Sequence, residues 1–249
     1  MRALGIETAT PIASAAVVDG DRILAERTLR APGSHAQTLL QLADDVLSAA
    51  AVPLDSLDLL AVSIGPGSFT GLRIGLSVAK GLALARGLAV VGVPTLEAYA
   101  RAAGRRPGAI CPVLDARKGE VYAAAFGWHG DALLQRAAPR ATAPEQFAET
   151  LSGPCTLLGD GVDAYFDRWR AALGDRATLI RFADLAPSAV IVARLGIARA
   201  AAVGGDDLAD LEPEYCRVSE AERRHLRGAD GASLGGGGVG VEKLTGGRG

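Results

Sequence analysis

Short blocks of apolar residues alternate with turn chemistry along the first hundred positions, and their spacing separates strands from helices. Arg2–Thr8, Ile12–Val18 and Ile23–Thr28 read as three strands, broken by Thr10-Pro11 and by the hairpin sequence Asp19-Gly20-Asp21. Ala36, Leu39, Leu40, Ala43, Val46, Leu47 and Ala50 then recur at three- and four-residue steps, the period of one broad apolar helix face. Ser34 with Gln37 forms a capping box at its start, and Val52-Pro53 ends it. Leu60–Ile64 is a buried-type strand, stopped by Gly65-Pro66-Gly67. A helix opens at Ser68 or Thr70 and runs to Arg86, followed by a strand over Ala89–Val93 and a short helix from Thr95 toward Ala103.

Arg105-Arg106-Pro107-Gly108 is charged and then turn-forming, and the pattern restarts beyond it. Ala109–Leu114, Val121–Phe126 and Ala132–Arg136 read as strands, Pro144–Leu151 as a helix, Thr156–Leu158 as a strand, and Val162–Leu173 as a helix after Gly159-Asp160-Gly161. The expected organisation is a first domain over 1–104, a second over 109–224 and a glycine-rich tail over 225–249, too poor in apolar residues to order itself. Antiparallel strands followed by alternating helices and strands predict an α/β class, with a mixed sheet in each half covered on both faces and a cleft between the halves.

The helix after the glycine turn is unusual. Gly71, Gly75 and Gly81 each cost about 1 kcal/mol relative to alanine in a helix interior, so a neighbouring backbone or ligand is expected to come too close for a Cβ. Leu72, Leu76, Ala79 and Ala83 mark one stripe and Ile74, Val78, Leu82 and Ala85 another. Apolar groups thus cover most of the circumference, which suits either a fully internal helix or one shared with another helix or chain. The free N–H groups of its first turn suit a phosphate or carboxylate. Familiar motifs do not fit: no Lys-Ser or Lys-Thr follows at P-loop distance, Ser68 lacks the flanking glycines of a nucleophile elbow, and the strand over Ala89–Val93 ends in Pro94-Thr95 where a dinucleotide site needs an acid.

Charge adds exclusions. The net charge of −2 is dispersed, which offers no electrostatic footprint for nucleic acid. Cys111, Cys155 and Cys216 are odd in number and far apart, as buried reduced thiols are. Glu7 interrupts any leader-like apolar start, and Arg73, Lys80 and Arg86 interrupt the longest apolar stretch, so a cytoplasmic protein without a membrane span is expected. His35, His129 and His225 lack HExxH or HxxxH spacing, and no metal site is expected. The segment Asp115-Ala116-Arg117-Lys118-Gly119-Glu120-Val121-Tyr122 is either a plain charged hairpin or a tip facing the cleft, where Thr8 and Thr10 would also reach a phosphate.

LGIETAT, SHAQTLL, VSIGPGSFTGLRIGLSVAKGLA, VGVPTLEAYA, VLDARKGEVYAA and LEPEYCR together resemble the TsaB (YeaZ) family, needed for threonylcarbamoyladenosine in tRNA, from Arg2 to about Arg217. The resemblance implies the actin-like, sugar-kinase and Hsp70-like (ASKHA) fold of two RNase-H-like halves. It also implies a non-catalytic relative of the transferase TsaD. Thr95 and Tyr99 stand where TsaD carries an HxxxH metal pair, so neither a catalytic residue nor a metal ligand is expected. Docking on TsaD is implied through the helices opening at Ser34 and Thr70, with Leu39, Leu42, Val46, Gly71, Leu72, Gly75, Leu76 and Ala79 as the candidate interface. TsaE would join that pair, tRNA would be met only through the complex, and without TsaD the same surface would form a homodimer. No cofactor of its own is expected beyond ATP or ADP in the cleft or at the shared interface, with Thr8, Thr10, Gly65, Gly67, Ser68 and Asp115 as candidates. The alternatives are an ATP-dependent small-molecule kinase of the same fold, for which Glu7, Asp115 and Asp160 are the obvious carboxylates, and a metallopeptidase-like protein.

Overall fold

A computed structural model describes residues 1–30, 36–185 and 189–216. The Ser34 cap, His35, His225 and the glycine-rich tail lie outside the described residues. The chain runs β1 (Arg2–Glu7), β2 (Ile12–Asp19), β3 (Arg22–Arg30), α1 (Ala36–Ala50), β4 (Leu59–Gly65), α2 (Phe69–Arg86), β5 (Ala89–Pro94) and α3 (Thr95–Ala102). It continues through β6 (Ala109–Arg117), β7 (Glu120–His129), β8 (Ala132–Thr142), α4 (Pro144–Glu149), β9 (Cys155–Leu158), α5 (Asp160–Ala164), α6 (Phe166–Leu173), β10 (Ala177–Ile180) and α7 (Ala189–Val203).

The two sheets repeat one topology. The first has the order β3-β2-β1-β4-β5 and the second β8-β7-β6-β9-β10 when followed in the same sense. In each, the first strand pairs antiparallel with the second and parallel with the fourth. This duplication is the two-lobed ASKHA arrangement. The first sheet is buried on both faces, one under α1 and α2 with Leu4, Ile6, Leu60 and Val62, the other under α7 with Ala3, Leu59, Ala61 and Val91. The second sheet packs Val113, Val121 and Leu157 against Phe147 and Trp169 of α4 and α6. Its other face closes on α3, where Leu96, Tyr99 and Ala100 meet Ile110, Leu114, Phe126 and Leu158 to form a core shared by the lobes.

Local chemistry fixes α2. Ser68 Oγ accepts the Gly71 N–H at 3.2 Å as the N-cap, and Gly87 closes the helix at φ 65°. At the other helix singled out, the continuous expectation over Val162–Leu173 is broken at Tyr165 (φ −130°) into α5 and α6. β7 and β8 extend well beyond the apolar cores that predicted them.

The expected second domain over 109–224 is corrected. Helix α7, which the sequence pattern did not predict, packs on the first sheet, and its Gly196 lies so close that a Cβ would stand 2.4 Å from the Ala61 Cβ. The strand-like strap after it stays on the same lobe. Asp206 N–H donates to the Val90 carbonyl at 2.8 Å, Gly92 N–H donates to Asp206 Oδ2 at 2.7 Å, and Glu214 N–H donates to the Ile64 carbonyl at 2.7 Å. The first lobe therefore comprises residues 1–30, 36–104 and 189–216, and the described residues form one compact unit through Cys216. Cys111 and Cys155 are buried and Cys216 is half-buried, all as free thiols. Among the described residues no helix is long and apolar enough to cross a membrane.

Candidate functional site

Between the lobes, at the carboxyl ends of β1 and β4, lies a cleft of about 520 Å³. The first lobe contributes Thr10, Pro11, Gly67, Ser68 and Phe69, and the second Asp115, Arg117, Tyr122 and Asp160. The Asp115–Tyr122 hairpin thus does face the cleft. Its tip is a tight turn in which Arg117 and Lys118 adopt φ of 63° and 56°. Asp115 is held from three sides: Tyr165 OH donates to Oδ1 at 3.0 Å, the Arg117 N–H donates to the same oxygen at 2.8 Å, and the Arg117 guanidinium pairs with Oδ2 at 3.0 Å. Asp160 Oδ1 accepts the Asp115 N–H at 3.0 Å, and burial raises the Asp160 carboxyl above its ordinary range.

Of the candidate nucleotide residues, Thr10, Gly67, Ser68 and Asp115 come together here, while Thr8 and Gly65 do not. Thr8 is buried with its hydroxyl turned toward α2, where a Cβ on Gly75 would stand 2.3 Å from Oγ1. Gly65 lies under the strap, 2.4 Å from the Glu214 carbonyl oxygen for an added Cβ. Thr10 Oγ1 is occupied by the Ile12 backbone, donating to its carbonyl at 3.2 Å and accepting its N–H at 3.3 Å. These threonines shape the β1–β2 turn and do not present donors to a phosphate. Of the carboxylates proposed for a kinase, Asp115 and Asp160 meet in the cleft and Glu7 does not line it. Glu7 is fully enclosed, Asp115 is spoken for, and among the described residues no three His, Cys, Asp or Glu groups gather as a metal set.

The close-approach glycines of α2 serve the chain itself. A Cβ on Gly71 would stand 2.0 Å from the Thr8 carbonyl oxygen, and one on Gly67 2.4 Å from the Ala9 carbonyl oxygen, so α2 presses directly on the β1–β2 turn. The candidate interface is corrected accordingly. Leu39, Leu42, Val46, Leu72, Leu76 and Ala79 are buried in the first lobe's own core, and Gly71 and Gly75 are covered by Thr8. Each enclosed leucine contributes roughly 1.5–3 kcal/mol to the fold of this chain, and such side chains offer nothing to a partner. Other residues remain outward. Leu40 is 45% exposed and Leu84 79% exposed. A groove of about 580 Å³ between α1 and α2 is lined by Leu40, Leu47, Leu54 and Leu82, with Asp44 and Arg86 at its rim.

Thr95 and Tyr99 carry structure as well. Gly65 N–H donates to Thr95 Oγ1 at 3.1 Å, and Tyr99 fills the shared core. A cluster that the sequence did not announce stands at the cleft's rim, where Phe69 stacks on Tyr215 at 5.1 Å and the Arg73 guanidinium lies 4.0 Å from the Phe69 centroid. Phe69 and Arg73, four apart, hint at a shared helix face, but nothing local places Tyr215 beside them. His129 is exposed at the end of β7.

The family model described as "TsaD: tRNA N6-adenosine threonylcarbamoyltransferase" matches residues 29–154. The TsaB protein of Escherichia coli is 37% identical over 175 residues, which cover 67% of this chain and 74% of the relative. Bacillus subtilis TsaB is 27% identical over 229 residues, covering 91% and 98%. The structure of YeaZ from Pseudomonas aeruginosa superposes with a TM-score of 0.73 at 27% identity, over 86% of this chain and 99% of that one. An ethanolamine utilization protein, EutJ from Carboxydothermus hydrogenoformans, shares the fold at a TM-score of 0.51 and 14% identity. Strand order, the glycine turn on β1 and these similarities converge: the chain belongs to the TsaB (YeaZ) family.

Proposed function

We propose that this chain serves the synthesis of threonylcarbamoyladenosine in tRNA as a non-catalytic cytoplasmic subunit that pairs with TsaD. The observation that carries the reading is the groove between α1 and α2, where the exposed Leu40 and the half-buried Leu47, Leu54 and Leu82 lie beside helices already anchored by their inner faces. An apolar surface of that kind, rimmed by Asp44 and Arg86, suits a helix pair from a related lobe. TsaE joins the assembled pair, and tRNA is met through the complex. In the absence of TsaD the same groove takes a second copy of this chain, giving a homodimer.

The commitments of the cleft side chains support the non-catalytic part. Thr10 is committed to the Ile12 backbone, and Asp115 is held by Tyr165 and Arg117. Reconstituted tRNA modification with TsaD and TsaE tests the reading: product is expected only when this chain is added. Titration with Mg-ATP, followed by a phosphotransfer screen on the isolated chain, is the complementary measurement. Robust turnover there would replace the subunit reading with the kinase one.

A further inference from the structure

Two pockets share a ridge at the mouth of the cleft. Phe69 lines the cleft of about 520 Å³, and Tyr215, stacked on it at a centroid distance of 5.1 Å, lines a second groove of about 360 Å³ between α2 and the strap. Arg73 ties the rings together, its Nε donating to the Tyr215 hydroxyl at 2.9 Å while its guanidinium lies 4.0 Å from the Phe69 centroid. The fold does not bury this ridge, for Phe69 is 39% and Tyr215 41% exposed. Beyond it the groove carries Ser77 and Lys80 beside Glu212. Across the cleft, Arg117 keeps 78% of its side chain in solvent while it pairs with Asp115. Arg117 and Lys118 both hold positive φ at the hairpin tip, and Arg168 Nη1 donates to the Gly119 carbonyl at 3.2 Å. Two non-glycine residues in that conformation carry strain that an Asn-Gly turn would avoid. We propose that the ridge is a binding track for an unpaired RNA loop, one base entering the cleft against Phe69 and the strand passing over Tyr215 into the groove. Resting on the reading of the chain as a subunit for tRNA modification, this gives the subunit its own contact with the RNA that the complex meets.

Exposed aromatic faces beside a guanidinium stack on a base of any identity. Asp115 and Asp160, which line the cleft, accept hydrogen bonds from the amino edge of a base and repel phosphate. A base therefore belongs inside, with its phosphates outside near Arg73, Lys80 and Arg117. That division favours a diester strand over a free nucleoside triphosphate, whose clustered charge would lie beside those carboxylates. The second groove points the same way, since a mononucleotide has nothing to place there. Few cations take part, in keeping with the dispersed net charge of −2, so stacking supplies most of the grip. A fully paired helix keeps its bases stacked on one another and offers the two rings nothing.

A stem-loop RNA copying a tRNA anticodon arm, with iodouridine in its loop, tests this on the full chain, alone and with TsaD. Photocrosslinks are expected at Phe69 or Tyr215, and none when the loop is annealed to a complementary strand. Phe69→Ala should weaken binding of the fluorescent loop about tenfold and Phe69→Tyr should retain it, as stacking requires. Lys80→Ala should lower the slope of log affinity against log salt by ~0.7, the share of one phosphate on a single strand. Phe69 belongs to none of the buried cores, so its variants should melt and co-elute with TsaD as the parent does. A chain that pairs with TsaD yet gives no loop crosslink overturns the track and leaves the pairing intact, whereas crosslinking without pairing supports the track and removes the pairing. Equal binding of duplex and loop, unchanged affinity in Phe69→Ala, or displacement of the loop by an equal concentration of ATP would each overturn the proposal.

Discussion

The two lobes share a strand order yet treat its central turn differently. In the first, the turn after β4 leads into the eighteen-residue α2, whose Gly71 presses its backbone onto the Thr8 carbonyl. In the second, the turn after β9 leads into the five-residue α5, where a Cβ on Gly161 would stand 2.9 Å from the Val113 carbonyl oxygen. A long helix can press flat on the first strand only if glycines line its inner face, and once anchored its outer face is free for other work. The short α5 has no such outer face. The lesson is that one topology, used twice, yields a lobe whose long helix keeps an outer face and a lobe whose short helix has none, according to how far glycine extends beyond the turn.

Substitutions can break that contrast, beginning with the largest effect. Gly71→Ala should destabilise by about 4 kcal/mol, because the 2.0 Å approach is to backbone that cannot yield without moving β1; urea denaturation would read it. The pH dependence of stability comes next. The unfolded chain loses the Glu7 proton near 4.5 and the folded chain near 7, so stability should fall as pH rises across that window, by roughly 3 kcal/mol in all, and Glu7→Gln should remove the slope. Denaturation midpoints from pH 4.5 to 8 would show it.

Leu40→Asp sharpens the docking side of the comparison. It places a charge at a half-exposed position in the groove, so thermal melting should change little while the affinity for TsaD falls about 100-fold, or ~2.7 kcal/mol, in calorimetric titration. Gly161→Ala is the smallest, about 1 to 2 kcal/mol by denaturant, since its 2.9 Å approach to the Val113 carbonyl oxygen is far looser than the 2.0 Å at Gly71. Should Gly161→Ala prove more damaging than Gly71→Ala, the contrast between the lobes would be wrong.

Much of the first lobe was legible because its elements carry punctuation: Gly20, Pro53, Ser68 and Gly87 each mark an end that hydrogen bonding then uses. Helix α7 was not, because AVIVARLGIARAAAV is apolar nearly all round and gives no clean period. The four-residue β10 is too short to signal. β8 outran the expected Ala132–Arg136 because an edge strand tolerates the half-buried Pro139 and the exposed Arg140, which carry no apolar signal. For the candidate site, the pattern correctly required a close neighbour at Gly71 and Gly75 without identifying it, and it was wrong at Gly81, where an added Cβ would meet open space. Sequence distance hid Thr8 from α2 just as it hid Tyr215 from Phe69. The cleft-facing role of Asp115 was readable because the hairpin follows directly from strand order, whereas the commitment of Thr10 to Ile12 is a matter of one rotamer.

The return of α7 and the strap to the sheet where the chain began makes the second lobe an insertion, spliced into the first between α3 and α7. The chain thus enters and leaves it only once each way, and any movement of the insertion against its host must keep intact the buried core around Tyr99 in which both take part.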